Sequence, residues 1–119
     1  MQKQATYLCH LNDLLPGRSR GFDPLGAGRD SVFAVRLANT RQDLRVYGNA
    51  CPHVDGSPLA WRKNEYLNAD HSRIICSGHG AEFELDTGLC VLGPCLGENL
   101  QAIAHHIGED GSVSLIDFV

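Results

Sequence analysis

Two short stretches of this chain each place a cysteine and a histidine within a few residues of one another. Cys51 and His53 form a Cys-x-His motif, and Cys76 and His79 form a Cys-x-x-His motif. Glycine or proline lies inside or beside each motif, which suits tight loops close to an inorganic centre, where backbone bulk must be small. Two thiolates and two imidazoles can hold one tetrahedral zinc ion. They can also hold a [2Fe–2S] cluster, with both thiolates on one iron and both imidazoles on the other.

The residues around these motifs extend the pattern over roughly residues 50–94. In order, the chain carries Cys51-Pro-His-x-x-Gly-x-Pro-Leu, Ile75-Cys-x-x-His-Gly-x-x-Phe83 and Thr87-Gly88-x-Cys90-x-x-Gly93-Pro94. This series resembles the Rieske iron–sulfur family, and within it the soluble Rieske ferredoxins more than the respiratory-complex proteins. The resemblance implies an all-β fold of small antiparallel sheets, with a cluster-binding part at about residues 49–97. Two ligand loops and a Pro-containing loop would build that part.

The same resemblance implies the cofactor and its ligands. Cys51, His53, Cys76 and His79 are expected to bind one [2Fe–2S] cluster, and no residue is expected to be catalytic. High-potential members of the family carry a disulfide between the ligand loops, where this chain has Gly56 and Gly78. They also carry Ser and Tyr hydroxyls near the cluster sulfurs, where this chain has Ala81 and Phe83. Fewer hydrogen-bond donors stabilise the reduced cluster less, so a reduction potential in the low part of the Rieske range is predicted.

Length, composition and charge restrict the number of domains, the kinds of partner and the cellular location. A chain of 119 residues fits one domain, residues 1–119. The net charge of −4 and the lack of a Lys/Arg cluster argue against nucleic-acid binding. No apolar run is long enough to span a bilayer, and the first residues lack the apolar core of a signal peptide. We therefore expect a cytoplasmic protein with no membrane partner.

Three cysteines remain outside the two motifs, and a total of five is odd, which disfavours a pure disulfide framework. Cys9 is interpreted as a buried free thiol, and the adjacent His10 as no metal ligand. Cys90 and Cys95 have Cys-x₄-Cys spacing, which permits a disulfide across the Pro-containing loop or a second metal contact. A cytoplasmic location favours free thiols.

The pattern of apolar residues and turns predicts a mainly antiparallel β protein. Predicted strands cover Tyr7–His10, Ser31–Ala38, Asp43–Gly48, Arg73–Ile75, Glu82–Leu85, Leu100–His106 and Ser112–Asp117, with a surface loop over residues 17–30 and hairpin turns at residues 39–42 and 108–111. Residues 54–75 separate the two motifs, several more than is usual in the family. We expect a protruding connection there, with His71 facing solvent.

The resemblance points to a one-electron carrier that takes electrons from a reductase and passes them to an oxygenase or another redox enzyme. Such a chain is an electron-transfer component rather than a catalyst. The alternatives are a small redox subunit or cluster-based sensor of a larger enzyme, and a zinc-stabilised binding domain.

Overall fold

The computed structural model describes residues 5–26, 28–37, 44–52, 59–60, 64–76 and 80–116. Within these residues the chain is all-β, apart from one turn of 3₁₀ helix at Leu11–Asp13. The strands are β1 (Ala5–His10), β2 (Ser19–Phe22), β3 (Val32–Arg36), β4 (Leu44–Gly48), β5 (Arg73–Ile75), β6 (Glu82–Glu84), β7 (Cys90–Leu92), β8 (His105–Ile107) and β9 (Ser112–Ile116).

The strands form three antiparallel sheets of three strands each. We call them the terminal sheet (β1-β9-β8), the central sheet (β2-β3-β4) and the loop-bearing sheet (β5-β6-β7). In the described part of the chain, no helix is long and apolar enough to cross a membrane.

The central sheet is covered on both faces. Along β3, alternate side chains point to opposite faces, yet Val32 to Val35 are all buried. One face packs in a core with the terminal sheet, made of residues that include Val32, Ala34, Leu44, Val46, Val113 and Leu115. The other face packs in a second core with the loop-bearing sheet, made of residues that include Phe33, Val35, Tyr47, Ile74 and Phe83. A continuous apolar run in the sequence is the pattern expected for such a strand.

Most of the predicted strands are observed, with ends that differ by a few residues. The predicted turn at residues 108–111 is confirmed, since the N–H of Gly108 donates to the carbonyl of Ser112 at 2.8 Å. The predicted turn at residues 39–42 lies outside the described residues.

The prediction of a loop throughout residues 17–30 is wrong for β2. Ser19–Phe22 is short, contains one large apolar residue and has glycine within it, so the sequence resembles a turn. Gly21 is needed because a Cβ there would collide with the carboxylate of Asp30 and would come within 2.6 Å of the Tyr66 hydroxyl. A close approach of side chains, not a turn, explains this glycine.

The predicted strand over Leu100–His106 is also only partly correct, because β8 starts at His105. The residues before it run beside β4 instead: the N–H of Gly48 donates to Gln101 O, and the N–H of Ile103 donates to Val46 O, both at 2.9 Å.

The expected protrusion between the two motifs is contradicted over residues 64–68. Tyr66 is 2% exposed, and its ring stacks on Phe33 with centroids 4.3 Å apart. Ser19 Oγ donates to Asn64 O at 2.7 Å and accepts from the N–H of Tyr66 at 3.1 Å. Packing of the Tyr66 ring on Phe33 and the hydrogen bonds to Ser19 together hold this part of the connection against the central sheet. His71 is half-buried rather than fully solvent-facing.

Candidate metal centre

Cys51 begins a loop whose two ends are joined by one asparagine. After β4, the N–H of Asn49 donates to Ser31 O at 2.9 Å. The side chain of Asn49 donates from Nδ2 to Asp30 O and accepts at Oδ1 from the N–H of Leu59, each at 2.9 Å. Asn49 therefore fixes where the chain leaves the central sheet and where it returns after the loop.

Cys76 begins the second loop, which closes the hairpin between β5 and β6. The N–H of Cys76 donates to Ala81 O, and the N–H of Gly80 donates to Cys76 O, both at 2.8 Å. Gly80 has a φ of 72°, a left-handed conformation that glycine adopts at no steric cost. These bonds tie Cys76 to Gly80 and Ala81, where the described chain resumes.

The Pro-containing loop lies directly against the second loop. It follows β7 and begins at Gly93, whose φ is 103°. A Cβ on Gly93 would lie 2.7 Å from Ala81 Cα, so any other residue there would separate the two loops. Among the described residues, the Pro-containing loop therefore lies beside the second ligand loop, within the part of the chain predicted to bind the cluster.

The thiols of the two motifs are both buried in the same core. Cys51 is 1% exposed and Cys76 is 0% exposed, and both belong to the core that includes Leu59 and Phe83. Soft thiolate donors from two segments that share one core, shielded from water by apolar side chains, fit an iron–sulfur cluster. His53 and His79 lie outside the described residues. Within the described ranges, no group of three or more His, Cys, Asp or Glu side chains is placed to hold a metal ion. The four-residue ligand set therefore stays a prediction.

Two further cysteines lie in this core. Cys90 and Cys95 are each 1% exposed, and their Sγ atoms are 3.1 Å apart. Cys90 Sγ also donates to Leu92 O at 3.3 Å. Burial raises the pKa of the Cys95 thiol to about 12, and the hydrogen bond to Cys90 and the nearby Cys51 contribute in the same direction. Both are free thiols, as expected from the sequence.

The other candidate ligands lie elsewhere. Cys9 is buried in the core beneath the terminal sheet, and burial raises its pKa to about 11. The imidazole of His10 caps the 3₁₀ helix, because Nδ1 accepts from the N–H of Asn12 at 3.0 Å. With Nδ1 as acceptor, Nε2 carries the proton and donates to Asp110 O.

Two described residues beside the second loop carry no hydroxyl donor. Ala81 and Phe83 are both fully buried and carry no side-chain hydrogen-bond donor. The hydroxyl of Tyr47, in the same core, donates instead to Leu85 O at 2.9 Å.

The Rieske [2Fe-2S] domain model matches residues 4–106. The chain belongs to the Rieske [2Fe–2S] family. A Rieske domain implies a [2Fe–2S] cluster, which decides between the two interpretations of the Cys and His motifs in favour of iron and against zinc. The comparison with curated protein sequences finds no significant match.

Several solved structures share the fold. The ferredoxin of carbazole 1,9a-dioxygenase from Nocardioides aromaticivorans is 22% identical, with a TM-score of 0.65 over 95% of this chain and 96% of that one. The Escherichia coli protein NirD is 19% identical, with a TM-score of 0.65 over 97% of each chain. A protein of Mycobacterium tuberculosis, described as the small subunit of an NADH-dependent nitrite reductase, is 17% identical, with a TM-score of 0.64 over 100% of this chain and 99% of that one.

Sequence reasoning missed one residue that positions the first ligand loop, and it missed one contact of Cys95. Asn49 precedes Cys51 by two residues, and its type alone indicates a turn rather than a bridge between Asp30 and Leu59. The spacing of Cys95 predicts only a contact with Cys90. The proximity of Cys95 to Cys51 was not predictable, because it depends on how the Pro-containing loop folds back.

Proposed function

We propose that this chain is a one-electron carrier, with its [2Fe–2S] cluster held by Cys51, His53, Cys76 and His79. It would take an electron from a reductase and pass it to an oxygenase or another redox enzyme. One observation carries the proposal: the buried thiols of the two Cys and His motifs lie in one apolar core, in a chain of the Rieske family.

The bound cluster would supply reversible one-electron chemistry at a potential between about −150 and +300 mV. The residues of the chain set the conditions for that chemistry. Burial of Cys51 and Cys76 keeps the thiolate donors away from water. The close approach of Gly93 to Ala81 holds the Pro-containing loop against the start of β6. The proposed imidazole ligands are neutral, which raises the potential relative to an all-thiolate site.

Similarity to known carriers supports the choice of partners. One similar solved structure is a complex of reduced oxygenase and oxidised ferredoxin in carbazole 1,9a-dioxygenase, and this chain covers 93% of the matched chain with a TM-score of 0.68. We propose the same class of acceptor here. A single domain over residues 1–119 and a cytoplasmic location belong to the same proposal. Fractionation of the producing cells tests the location.

Spectroscopy of anaerobically purified protein tests the cluster and its ligands. We expect visible absorption, an EPR signal after reduction, and iron and acid-labile sulfide in equal amounts. Cys51→Ser and His79→Ala variants should each lose the native spectrum, whereas Cys9→Ser, which changes a buried thiol in the other core, should keep it. A colourless, iron-free protein would contradict the proposal.

A second function is favoured by the likeness to the NirD and nitrite reductase small-subunit structures. In that case the chain would be a permanent subunit rather than a mobile carrier. The two functions differ in how the chain meets its partner. A carrier should be reduced by a flavin reductase and reoxidised by an oxygenase in repeated encounters, and should elute alone in gel filtration. A subunit should co-elute with a larger redox enzyme.

A further inference from the structure

We propose that Cys90 and Cys95 are a redox-active thiol pair, which closes to a disulfide while the protein keeps its fold and its cluster. The proposal goes beyond electron transfer by the cluster, because the pair carries its own two-electron chemistry. It starts from the Sγ–Sγ distance of 3.1 Å between two buried thiols that no disulfide joins.

The backbone holds the two thiols opposite one another across a narrow loop. The N–H of Cys90 donates to Glu98 O at 2.8 Å, and the N–H of Gly97 donates to Cys90 O at 3.1 Å. The N–H of Glu98 donates to Cys95 O at 2.9 Å, which closes a turn that begins at the second cysteine. Residues 90 and 95 are thus fixed on facing sides of one loop before any bond forms between their sulfurs.

Closing the bond requires only a small movement. A disulfide has an S–S length of about 2.05 Å, so the two sulfurs must approach by about 1 Å. The residues between the cysteines can adapt because Gly93 has a φ of 103°, and Gly97, just beyond Cys95, has a φ of 89°. Side chains elsewhere in the core need not move far, since the two thiols already touch each other.

An oxidant can reach the pair from the outer surface of the loop. The thiols are buried, but Cys95 lies between Pro94 and Leu96, which are both exposed, and Leu96 is 69% exposed. A brief opening of the loop at its glycines would present Cys95 to solvent. The contact of Gly93 with Ala81 then links the state of this pair to the position of the second ligand loop.

The reaction balances with a low-molecular-weight disulfide of the glutathione class as oxidant. One thiol of the pair, as its thiolate, attacks the oxidant's S–S bond, which breaks and releases one molecule of reduced thiol. The second thiol of the pair then attacks the mixed disulfide and releases the other. In total, Cys90 and Cys95 lose two electrons and two protons, and the oxidant gains them as two thiols.

The test uses the cluster-bearing protein, incubated anaerobically with oxidised glutathione while its visible spectrum is followed. The sample is then denatured in acid, alkylated and mapped by mass spectrometry. We expect the peptide with Cys90 and Cys95 to escape alkylation, and to become alkylated after treatment with dithiothreitol, while the spectrum stays unchanged. Cys9, which is also buried but lies in the other core, should remain fully alkylated and serves as the internal control.

Variants and hydrogen exchange add independent readouts. In Cys95→Ala the remaining Cys90 should form at most a mixed disulfide with glutathione, and Cys90→Ala should behave in the reciprocal way. In the wild type, closure should slow amide exchange at Leu96 and Gly97 several-fold. If neither variant folds, the wild-type peptide map and exchange data decide alone.

Three results would overturn the proposal. The first is that both thiols stay as open to alkylation as Cys9 after prolonged incubation. The second is that they carry separate glutathione adducts without a cross-link. The third is that the disulfide forms only after the visible spectrum has been lost. Because the spectrum is recorded throughout, a failure of the thiol pair is distinguished from a failure of the cluster.

Discussion

Two buried residues beside the second ligand loop lack the groups that would hydrogen-bond to cluster sulfurs. Ala81 and Phe83 are fully buried, and Ala81 is in van der Waals contact with the third loop at Gly93. Donors near the sulfurs stabilise the reduced and more negative cluster, so their absence lowers the potential. We expect the wild-type potential to lie below about +100 mV, which direct electrochemistry would measure.

Restoring hydroxyls at these positions should raise the potential. We expect Phe83→Tyr and Ala81→Ser each to shift it upward, on the order of tens of millivolts, with the visible spectrum retained. Phe33→Tyr is the matched control, because it adds a hydroxyl in the same core on the central sheet rather than beside the loop. An equal shift in that control, or no shift in the other two variants, would show that these side chains do not tune the cluster.

Two buried tyrosines make the stability of the fold sensitive to alkaline pH. Burial raises the pKa of Tyr47 and of Tyr66 from the ordinary value of 10.0 to about 12. Their contribution to stability is complete below about pH 10. Between pH 10 and 12 the unfolded chain releases these protons while the folded chain keeps them, so stability is lost as the pH rises through that range.

Removing one hydroxyl should therefore flatten the pH dependence. In Tyr66→Phe, the free energy of unfolding should fall less steeply than in the wild type between about pH 10 and 12. Between about pH 7 and 9, where neither state of the chain ionises this hydroxyl, the two curves should run parallel. Urea titrations followed by circular dichroism at each pH would measure both slopes, and identical slopes in the alkaline range would refute the role of Tyr66.

Among the described residues, the side chain of Asn49 ties together the two ends of the first ligand loop. Asn49 bonds to Asp30 and to Leu59, so it joins the central sheet to the return of the loop. Asn49→Ala would leave a partly buried N–H and C=O without these partners, at a cost of about 1–3 kcal/mol. We expect lower stability together with lower cluster occupancy, measured as iron per protein and as visible absorbance.

Asn68 offers a matched control in the connection between the two motifs. Its Oδ1 accepts from the N–H groups of Ser72 and Arg73, at 2.9 and 3.1 Å, so it also closes a turn by side-chain bonds. Asn68→Ala should cost stability but leave cluster occupancy unchanged. If both variants lost the cluster equally, general destabilisation rather than the position of the first loop would explain the effect.

Elements whose shape depends on local patterns were predictable, and those shaped by distant partners were not. The apolar run of β3 and the turn at residues 108–111 carry their signals within a few residues. The sequence of β2 carries no such signal. The structure of β2 depends instead on its pairing with β3 and on the space that Tyr66 needs beside Gly21. The bridge made by Asn49 depends in the same way on residues far along the chain. The spacing of the Cys and His motifs is a local signal that marks Cys51 and Cys76 as candidate ligands, and the whole four-residue ligand set stays a prediction.

Across the described residues, the two cores share one sheet but differ in what they contain. The core toward the loop-bearing sheet includes Cys51, Cys76 and the thiol pair, whereas the other core is built mainly from aliphatic residues of the central and terminal sheets. A metal centre that joins two loops stabilises mainly the part of the fold that those loops close. Removal of the cluster should therefore weaken one core more than the other.

Hydrogen exchange on the iron-free protein would measure that difference. We expect the amides of β9, such as Val113 and Leu115, to keep most of their protection, because the predicted cluster ligands all lie outside the terminal sheet. Amides of the loop-bearing sheet, such as Ile75 and Cys90, should exchange at least about tenfold faster, which corresponds to about 1.4 kcal/mol of local stability. Reconstitution with iron and sulfide should restore both regions. Equal loss of protection in the two sheets would mean instead that the central sheet couples both cores into one cooperative unit, so that the cluster stabilises the whole fold.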